Sequence, residues 1–461
     1  MNIQADLVCV GAGIAGLVAG LRAAELGLKV IVFEKGEDSS YPCNSRFSFG
    51  VLHAAHRDLK LPIKELELAM HQSMGEFSNH ELISTVATNS GRMIEWLQRH
   101  GVKFIRNPAR QWVFAPAKPL TSKLLWKGMG PDYVLRTLGL QLKHYGGKLI
   151  YGTRVIKLFH SDDGACSGVE VVSNNQAMRI DTKFVVIADG GFQANSNLVG
   201  KYITSRYDLL FPRHAGSGLG DGIEMALASG AHMVGLNSFY GHLLSVDAFK
   251  SKELWPYPQI DSIASSGILV DSKGNRRLDE GKGGIYLANG VARFEMGTAM
   301  VICDNLIWDN AGKKHQIPPN PLLELHGATM YRDETIEKLA IKSGLPPIAL
   351  VNTVNSYNEA VNSGLCEKLE PMRSTSIRPS QISHPPFFAI PVCAGITNTS
   401  GGISIDSNAR VLSKNGVPIP GLYAAGATIG GLDGGVNSGY IGGLVKAVFG
   451  LKAAENASYS K

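Results

Sequence analysis

The sequence DLVCVGAGIAG occupies residues 6–16 of a chain of 461 residues. Its apolar run ends in a Gly-x-Gly-x-x-Gly pattern, which predicts a strand, a tight turn and the N-terminus of a helix. Gly11 permits the turn, Gly13 lets a ligand approach the backbone, and Gly16 lets the helix pack closely on the sheet. The unpaired N–H groups and positive dipole at that N-terminus favour a diphosphate. The pattern predicts a dinucleotide cofactor, and the competing interpretation is a tight turn without a ligand.

A second apolar run, VIVFE at residues 30–34, follows the predicted helix. It predicts a strand beside the first, with Glu34 at its carboxyl end. A carboxylate there can accept hydrogen bonds from both ribose hydroxyls and would repel a 2′-phosphate. Apolar runs typical of buried strands occur again at residues 184–188 and 421–426. These positions predict a sheet to which both ends of the chain contribute.

Length and composition favour a multidomain α/β enzyme. A chain of this length exceeds one comfortable hydrophobic core, and 44% hydrophobic residues with 53 glycines are typical of a folded, turn-rich protein. We expect an α/β fold whose Rossmann-like cofactor-binding domain is formed by residues 1–237 and 383–461. An α+β capping domain that holds the substrate, residues 238–382, is expected to be inserted between them.

Charge and cysteine usage argue against several other classes of protein. The formal charge of +6 is small for this length, and no run of Lys and Arg marks a nucleic-acid surface. The six cysteines form no Cys-x-x-Cys pattern, so neither a disulfide framework nor a metal site is predicted. No apolar run is long enough for a transmembrane segment, and the first strand begins too early to leave room for a signal peptide. We expect a cytoplasmic enzyme.

Six motifs follow one another along nearly the whole chain. They are Gly11-x-Gly13-x-x-Gly16 with Glu34, Asn44-Ser45 leading into Ser48-Phe49-Gly50, Ala188-Asp189-Gly190-Gly191-Phe192, Gly220-Asp221-Gly222-Ile223-x-Met225-Ala226, the hairpin Ile268–Glu280, and Ser400-Gly401-Gly402 with Gly421–Gly426. Each motif alone is modest, but together and in this order they resemble those of the FAD-dependent fumarate reductase/succinate dehydrogenase flavoprotein superfamily, which includes the 3-ketosteroid dehydrogenases.

The resemblance implies bound FAD. Because Tyr41-Pro42-Cys43 stands where the family's covalent flavin histidine would lie, the FAD is expected to be non-covalent. No second strand–GxGxxG–helix unit is visible, so oxygen, a quinone or another electron acceptor is expected to exchange electrons with the flavin. The implied cofactor-binding residues are Gly11, Gly13, Ala15, Gly16, Glu34, Lys35, Asn44, Ser45, Ser48, Phe49, Gly50, Val155, Asp189, Gly190, Asp221, Gly426, Ala427, Ile441 and Gly442.

The chain departs from this family at the positions that bind fumarate. Gly281–Gly284 stands where the catalytic arginine is expected, Ile396–Thr399 lacks the second histidine, and Asn437 lies near the position of the C-terminal arginine. A buried dicarboxylate without these counter-charges would be strongly destabilised. The departures therefore argue against fumarate as the substrate.

Tyrosines stand near the missing arginines. By resemblance to ketosteroid dehydrogenases, Tyr440 is expected to polarise a substrate carbonyl and Tyr286 to remove the α proton. His242 lies where the fumarate-reductase family has a substrate histidine, so it is expected to be a surviving polar contact to the substrate. The alternative interpretation of each is structural, as a packing phenol or a satisfied histidine. Other residues are candidates to line an apolar pocket or to anchor one carboxylate. The pocket candidates are Trp112, Phe114, Tyr240, Trp255 and Tyr257, and the anchor candidates are Arg110, Arg213, Arg373 and Arg378.

The sequence favours an FAD-dependent dehydrogenase or desaturase. It would introduce a C=C bond beside the carbonyl of a cyclic ketone or keto acid, with hydride passing to flavin N5 and the α proton to a tyrosine. The alternative is an ene-reductase of fumarate-reductase type that acts on an unsaturated carboxylic acid. A third, weaker interpretation is a flavoprotein subunit that relays electrons within a membrane complex.

Overall fold

A computed structural model of the chain describes residues 3–77, 79–108, 110–115, 130–315 and 317–460. Within these ranges strands and helices intermix along the first part of the chain, whereas the last part is mostly strands followed by a terminal helix. None of the helices there is both long enough and apolar enough to cross a bilayer.

The strands are, in chain order, β1 (Ile3–Val10), β2 (Val30–Phe33), β3 (Val51–Leu52), β4 (Lys103–Arg106), β5 (Trp112–Ala115), β6 (Lys148–Ile150), β7 (Arg154–His160), β8 (Cys166–Ser173), β9 (Gln176–Ile187), β10 (Phe211–Pro212), β11 (Met233–Val234), β12 (Phe239–Ser245), β13 (Ile268–Val270), β14 (Thr298–Asp304), β15 (Tyr331–Asp333), β16 (Phe387–Thr399), β17 (Gly402–Ile403), β18 (Arg410–Leu412), β19 (Pro418–Ala424), β20 (Asp433–Gly434) and β21 (Gly439–Tyr440).

The α-helices are α1 (Ile14–Glu25), α2 (Asn44–Phe47), α3 (Ile63–Met74), α4 (His80–Arg99), α5 (Gly130–His144), α6 (Ser196–Tyr202), α7 (Asp221–Ala228), α8 (Asp261–Ser266), α9 (Gly284–Val291), α10 (Asn305–Asn310), α11 (Pro319–Leu325), α12 (Ile336–Ser343), α13 (Pro347–Ser363) and α14 (Val448–Tyr459).

The first sheet confirms the predicted Rossmann-like fold. Its strands lie in the order β18-β19-β9-β1-β2-β6, and those from β19 to β6 run parallel. The N-terminal β1 and the C-terminal β19 both pair with β9, so both ends of the chain build this sheet as predicted. Helices α1 and α14 pack closely because their backbones meet at Gly450, which has no side chain to separate them. A Cβ on Gly450 of α14 would lie 2.6 Å from the carbonyl oxygen of Ala15.

The second sheet is organised around β16. This strand pairs with β10, β12, β14 and β15, and β14 in turn pairs with β13. The sequence predicts that the second part of the cofactor-binding domain begins at residue 383. In the structure, residues 387–399 form β16 and belong to the second sheet. The return to the first sheet therefore comes after Thr399. The buried apolar run of β16 suits either sheet equally, so its pattern alone does not reveal which one it joins.

The two sheets meet at the carboxyl ends of the parallel strands. Gly11 follows β1, Glu34 follows β2, Ala188 follows β9 and Ala425 follows β19. In open α/β sheets ligands bind at this edge. The ends of β12 and β16 face the same region and supply its opposite wall.

Candidate active site

A cavity of about 380 Å³ runs from the carboxyl edge of the first sheet to the second sheet. It brings together most of the residues that the sequence predicts for the cofactor. Those that line it are Gly11, Gly13, Ala15, Glu34, Lys35, Asn44, Ser45, Ser48, Phe49, Val155, Asp189, Gly190, Asp221, Gly426 and Ala427. A cofactor-sized ligand therefore has a continuous wall of predicted contacts.

Four predicted cofactor residues are not among the lining residues. Gly16 packs on the turn before it, Gly50 has a φ of +69° and abuts Phe114, and Gly442 has a φ of +128° and abuts the carbonyl oxygen of His53. The N–H of Ile441 donates to a buried carboxylate oxygen of Asp433 at 2.8 Å. These four residues therefore support the backbone around the cavity and do not line it.

The turn between β1 and α1 forms a cradle that only glycine permits. Gly11 has a φ of +92°, and a Cβ there would lie 2.8 Å from Cα of Asp189. At Gly13 the nearest obstacle to a Cβ is the Ser45 hydroxyl oxygen at 3.4 Å, and that oxygen accepts from the N–H of Ile14 at 3.1 Å. The first turn of α1 thus presents bare backbone to the cavity, which suits the diphosphate of FAD.

Glu34 is buried beside this turn. Its carboxylate oxygens accept from the N–H groups of Ala12 and Gly36, each at 2.9 Å. A carboxylate offers about four lone pairs, so these two bonds leave acceptor capacity for ribose hydroxyls. Glu34 therefore fits the role that the sequence predicts, and it also stiffens the turn.

A group of charges closes the same end of the cavity. Asp221 pairs with Arg154 at 2.6 Å and with Lys35 at 3.4 Å. Burial alone would raise the pKa of Asp221, but the Arg154 hydrogen bond and the charge of Lys35 keep it below its ordinary value. Burial raises the pKa of neighbouring Asp189 to about 6. No sequence motif marks Arg154, which the antiparallel strand β7 brings to Asp221.

Two phenols stack at the other end of the cavity. The rings of Tyr240 and Tyr440 are nearly parallel, with centroids 3.8 Å apart and an interplanar angle of 16°. The hydroxyl oxygen of Tyr440 accepts from the N–H of Gly443 at 2.8 Å. Burial raises the pKa of both phenols above the ordinary value. Both side chains are therefore protonated at neutral pH.

His242 contacts the cavity through Tyr240. Its Nε2 lies 3.0 Å from the Tyr240 hydroxyl and its Nδ1 lies 2.5 Å from Oδ2 of Asp261. The other oxygen of Asp261 accepts from the N–H of Leu243 at 2.8 Å. Burial lowers the pKa of His242, and the charge of Asp261 acts in the opposite direction. The ring is neutral at pH 7, and we assign its proton to Nδ1 because a carboxylate accepts there.

Tyr286 lies apart from these groups. It sits on α9, packs against the core and has the Lys282 ammonium 4.9 Å from its ring centroid. It is not among the residues that line the cavity. The resemblance to ketosteroid dehydrogenases predicts Tyr286 in the site, but the short turn before α9 carries its side chain away from the cavity lining.

Only some of the aromatic and arginine candidates reach the cavity. Tyr240, Tyr257 and Arg213 line it. Trp112 and Phe114 pack on Phe104, and Trp255 packs on Phe211. The candidates Arg110, Arg373 and Arg378 are not lining residues.

His53 and Gln111 also line the cavity, and sequence reasoning missed both. His53 stacks on His56 at 4.7 Å and meets Tyr440 edge-on at 5.9 Å. Burial and the neighbouring His56 lower the pKa of His53 to about 3. His53 is thus a neutral polar neighbour of Tyr440, and no motif marked it.

Comparison with known proteins assigns the family. The FAD binding domain family matches residues 6–441, so the chain belongs to it. A vinyl phenol reductase of Lactiplantibacillus plantarum is 25% identical, over 93% of this chain and 90% of that protein. A 4-oxocyclohex-2-ene-1-carboxylate 5-dehydrogenase of Sinomonas cyclohexanicum is 27% identical, over 68% of this chain and 57% of that protein. The fold is similar to 3-ketosteroid Δ1-dehydrogenase from Sterolibacterium denitrificans (TM-score 0.74, 18% identity, 99% and 100% coverage). The chain is accordingly an FAD flavoprotein and an oxidoreductase of CH–CH groups.

Replacing Gly16 with alanine tests the cradle. The new Cβ would lie 1.9 Å from the carbonyl oxygen of Gly11, so the turn must open. We expect at least tenfold weaker FAD retention, measured as the ratio of flavin absorbance to protein after gel filtration. Gly200→Ala is the matched control, because nothing lies within 4 Å of its Cβ in the exposed helix α6. Full FAD retention by the Gly16 variant would contradict this account of the turn.

Proposed function

We propose that this flavoprotein introduces a C=C bond beside the carbonyl of a cyclic ketone or keto acid. The observation that carries the proposal is the pair of stacked phenols, one held by a backbone N–H and the other by a histidine–aspartate pair. Such a pair supplies a donor for the carbonyl oxygen and a separate group for the proton on the adjacent carbon. Bound FAD would supply the acceptor for the hydride from the next carbon.

Tyr440 polarises the carbonyl in this proposal. Its hydroxyl oxygen already accepts from Gly443, so its own proton remains available to the substrate. The raised pKa keeps that proton in place. A hydrogen bond to the carbonyl oxygen stabilises negative charge that develops there as the α proton leaves. The α carbon becomes more acidic as a result.

Tyr240 takes the α proton, in place of Tyr286. As the α C–H bond breaks, the proton moves to the Tyr240 oxygen while the phenol proton moves to Nε2 of His242, 3.0 Å away. Asp261 holds Nδ1–H and stabilises the cation that forms. The electron pair of the α C–H bond becomes the new π bond as hydride leaves the β carbon. An external acceptor (oxygen, a quinone or another carrier) must then remove two electrons.

Reduction of an activated alkene is the second candidate. The raised pKa of both phenols suits them to donate protons, and the relative from L. plantarum is a reductase by name. The same residues would then run the steps in reverse after His242 takes up a proton from solvent at Nε2, with Tyr240 protonating the α carbon and His242 passing that proton to Tyr240.

Anaerobic mixing separates these two directions. We expect the flavin absorbance band of the oxidised holoenzyme to bleach with cyclohexanone or 4-oxocyclohexanecarboxylate. One flavin should be reduced for each molecule of product formed. Chemically prereduced enzyme is mixed in parallel with acrylate or 4-vinylphenol. Reoxidation there, without bleaching by any saturated ketone, would reject the dehydrogenase in favour of the reductase. No change in either arm would reject both.

Tyr440→Phe is expected to lower the rate of flavin reduction by about 10²–10³-fold, since it removes one donor to a developing oxyanion. The flavin content should remain unchanged, because the aromatic ring of residue 440 and its stacking on Tyr240 stay in place. Tyr286→Phe is the matched control and should retain nearly full activity. Loss of activity in Tyr286→Phe with full activity in Tyr440→Phe would reverse the assignment of the two tyrosines.

The rate of flavin reduction should depend on the protonation of His242. Only the neutral ring can accept a proton, so the rate is constant above its pKa and falls as the pH drops through it. Burial lowers that pKa, which places the fall below the ordinary range for histidine. Asp261→Asn removes the group that raises the pKa, so the fall should move to lower pH.

Two further variants complete the pH experiment. His242→Gln should react slowly and lose this limb of the profile, whereas exposed His160→Gln should keep the wild-type profile. An unchanged profile in His242→Gln would show that His242 does not take part in proton transfer.

A further inference from the structure

Arg213 is a buried cation surrounded by neutral groups. It is 7% exposed and lines the cavity beside Tyr240 and Tyr257. Its Nη1 donates to the Thr397 hydroxyl oxygen at 2.7 Å and its Nε donates to the carbonyl oxygen of Pro256 at 3.2 Å. The ring of Tyr257 lies 5.3 Å from the guanidinium carbon. Within the part of the chain that the structure describes, no carboxylate lies within 4 Å of its nitrogens.

The other buried arginines of the described ranges are all paired with acids. Arg46 contacts Asp132 at 2.7 Å, Arg276 contacts Glu280 at 2.5 Å, and Arg373 lies 3.9 Å from the same glutamate. Burying a charge without a partner is costly, and this chain avoids the cost at these three positions. Arg213 is the exception, and it lines the cavity, where a ligand can supply the missing negative charge.

The cofactor's diphosphate has other partners. The first turn of α1 suits it, and Lys35 and Arg154 also line the cavity. Those two side chains already pair with Asp221. Arg213 instead follows β10, which pairs with β16 just before Thr397. Arg213 therefore lies with the stacked phenols and not with the charged cluster.

The number of cations at this end limits the charge of the ligand. The nearby histidines of the cavity wall add none at neutral pH, because burial lowers the pKa of His214 to about 4 and that of His53 to about 3. Among the lining residues of the described ranges, Arg213 is thus the one unpaired cation. It matches one carboxylate and leaves a second one without a counter-charge.

We propose that Arg213 binds a single carboxylate of the substrate, which makes the substrate a cyclic monocarboxylic keto acid. Thr397 would be the second donor, since its oxygen accepts from Arg213 and its hydroxyl proton is available. Two donors from one wall fix the acid group at one point and so orient the carbonyl toward the phenols. This assignment rests on the proposed function for the identity of the reacting carbonyl, but not for the binding of the acid.

Ligand binding to the oxidised holoenzyme tests the proposal without turnover. The probes are two matched pairs, benzoate with benzamide and cyclohexanecarboxylate with cyclohexanecarboxamide, titrated by the flavin difference spectrum. We expect wild-type protein to bind each carboxylate at least tenfold more tightly than its amide. Arg213→Gln should abolish that preference and Arg213→Lys should keep part of it. Arg378→Gln, an exposed arginine outside the cavity wall, should leave the preference unchanged.

Three results would overturn the proposal. One is equal affinity of wild-type protein for both members of each pair, or no binding of any carboxylate. Another is an unchanged preference in Arg213→Gln. The last is loss of most of the FAD from Arg213→Gln, with the preference intact in the fraction that keeps its flavin, which would make Arg213 a cofactor residue. If the carboxylates bind through Arg213 but no ketone bleaches the flavin, the dehydrogenase proposal fails and the carboxylate site stands.

Discussion

The contact between Gly11 and Gly16 is the constraint on which the rest of the molecule depends. A Cβ at residue 16 would lie 1.9 Å from the Gly11 carbonyl oxygen, so helix and strand meet there with only backbone between them. This closeness aims the first turn of α1 into the cavity. Gly450 likewise lets α14 pack on α1, because a Cβ there would lie 2.6 Å from the Ala15 carbonyl oxygen, and this contact ties the C-terminal helix to α1. These two close contacts set the positions of the backbone around the first turn of α1.

The second wall depends on β16, which holds four strands in one sheet. Its pairing with β12 is interrupted by a bulge between Tyr240 and Gly241. A Cβ on Gly241 would lie 2.1 Å from the carbonyl oxygen of Gly395, so glycine is required there. Bulges commonly re-aim side chains beside active sites. Here the bulge accompanies the stacking of Tyr240 on Tyr440 of β21, which joins the second sheet to the C-terminal segment at that end of the cavity.

The sequence is most informative where the chemistry is local. A short strand–turn–helix pattern predicts Gly11, Gly13 and, after β2, Glu34 as cofactor residues, and all three line the cavity. Contacts between distant segments are encoded in no spacing. Asp261 at the start of α8 reaches His242 on β12, and Arg154 on β7 reaches Asp221 at the start of α7. The predicted role of Tyr286 rests on resemblance to the ketosteroid dehydrogenases, and its place a few residues after the hairpin does not determine where its side chain points.

The most direct test is a crystal structure of the protein with FAD and an unsaturated cyclic keto acid. The account predicts the ketone oxygen within hydrogen-bond distance of the Tyr440 hydroxyl. It also predicts the adjacent carbon next to the Tyr240 hydroxyl and the carboxylate on Arg213. A ketone oxygen bound by other groups, with both phenols facing away from the ligand, would contradict it.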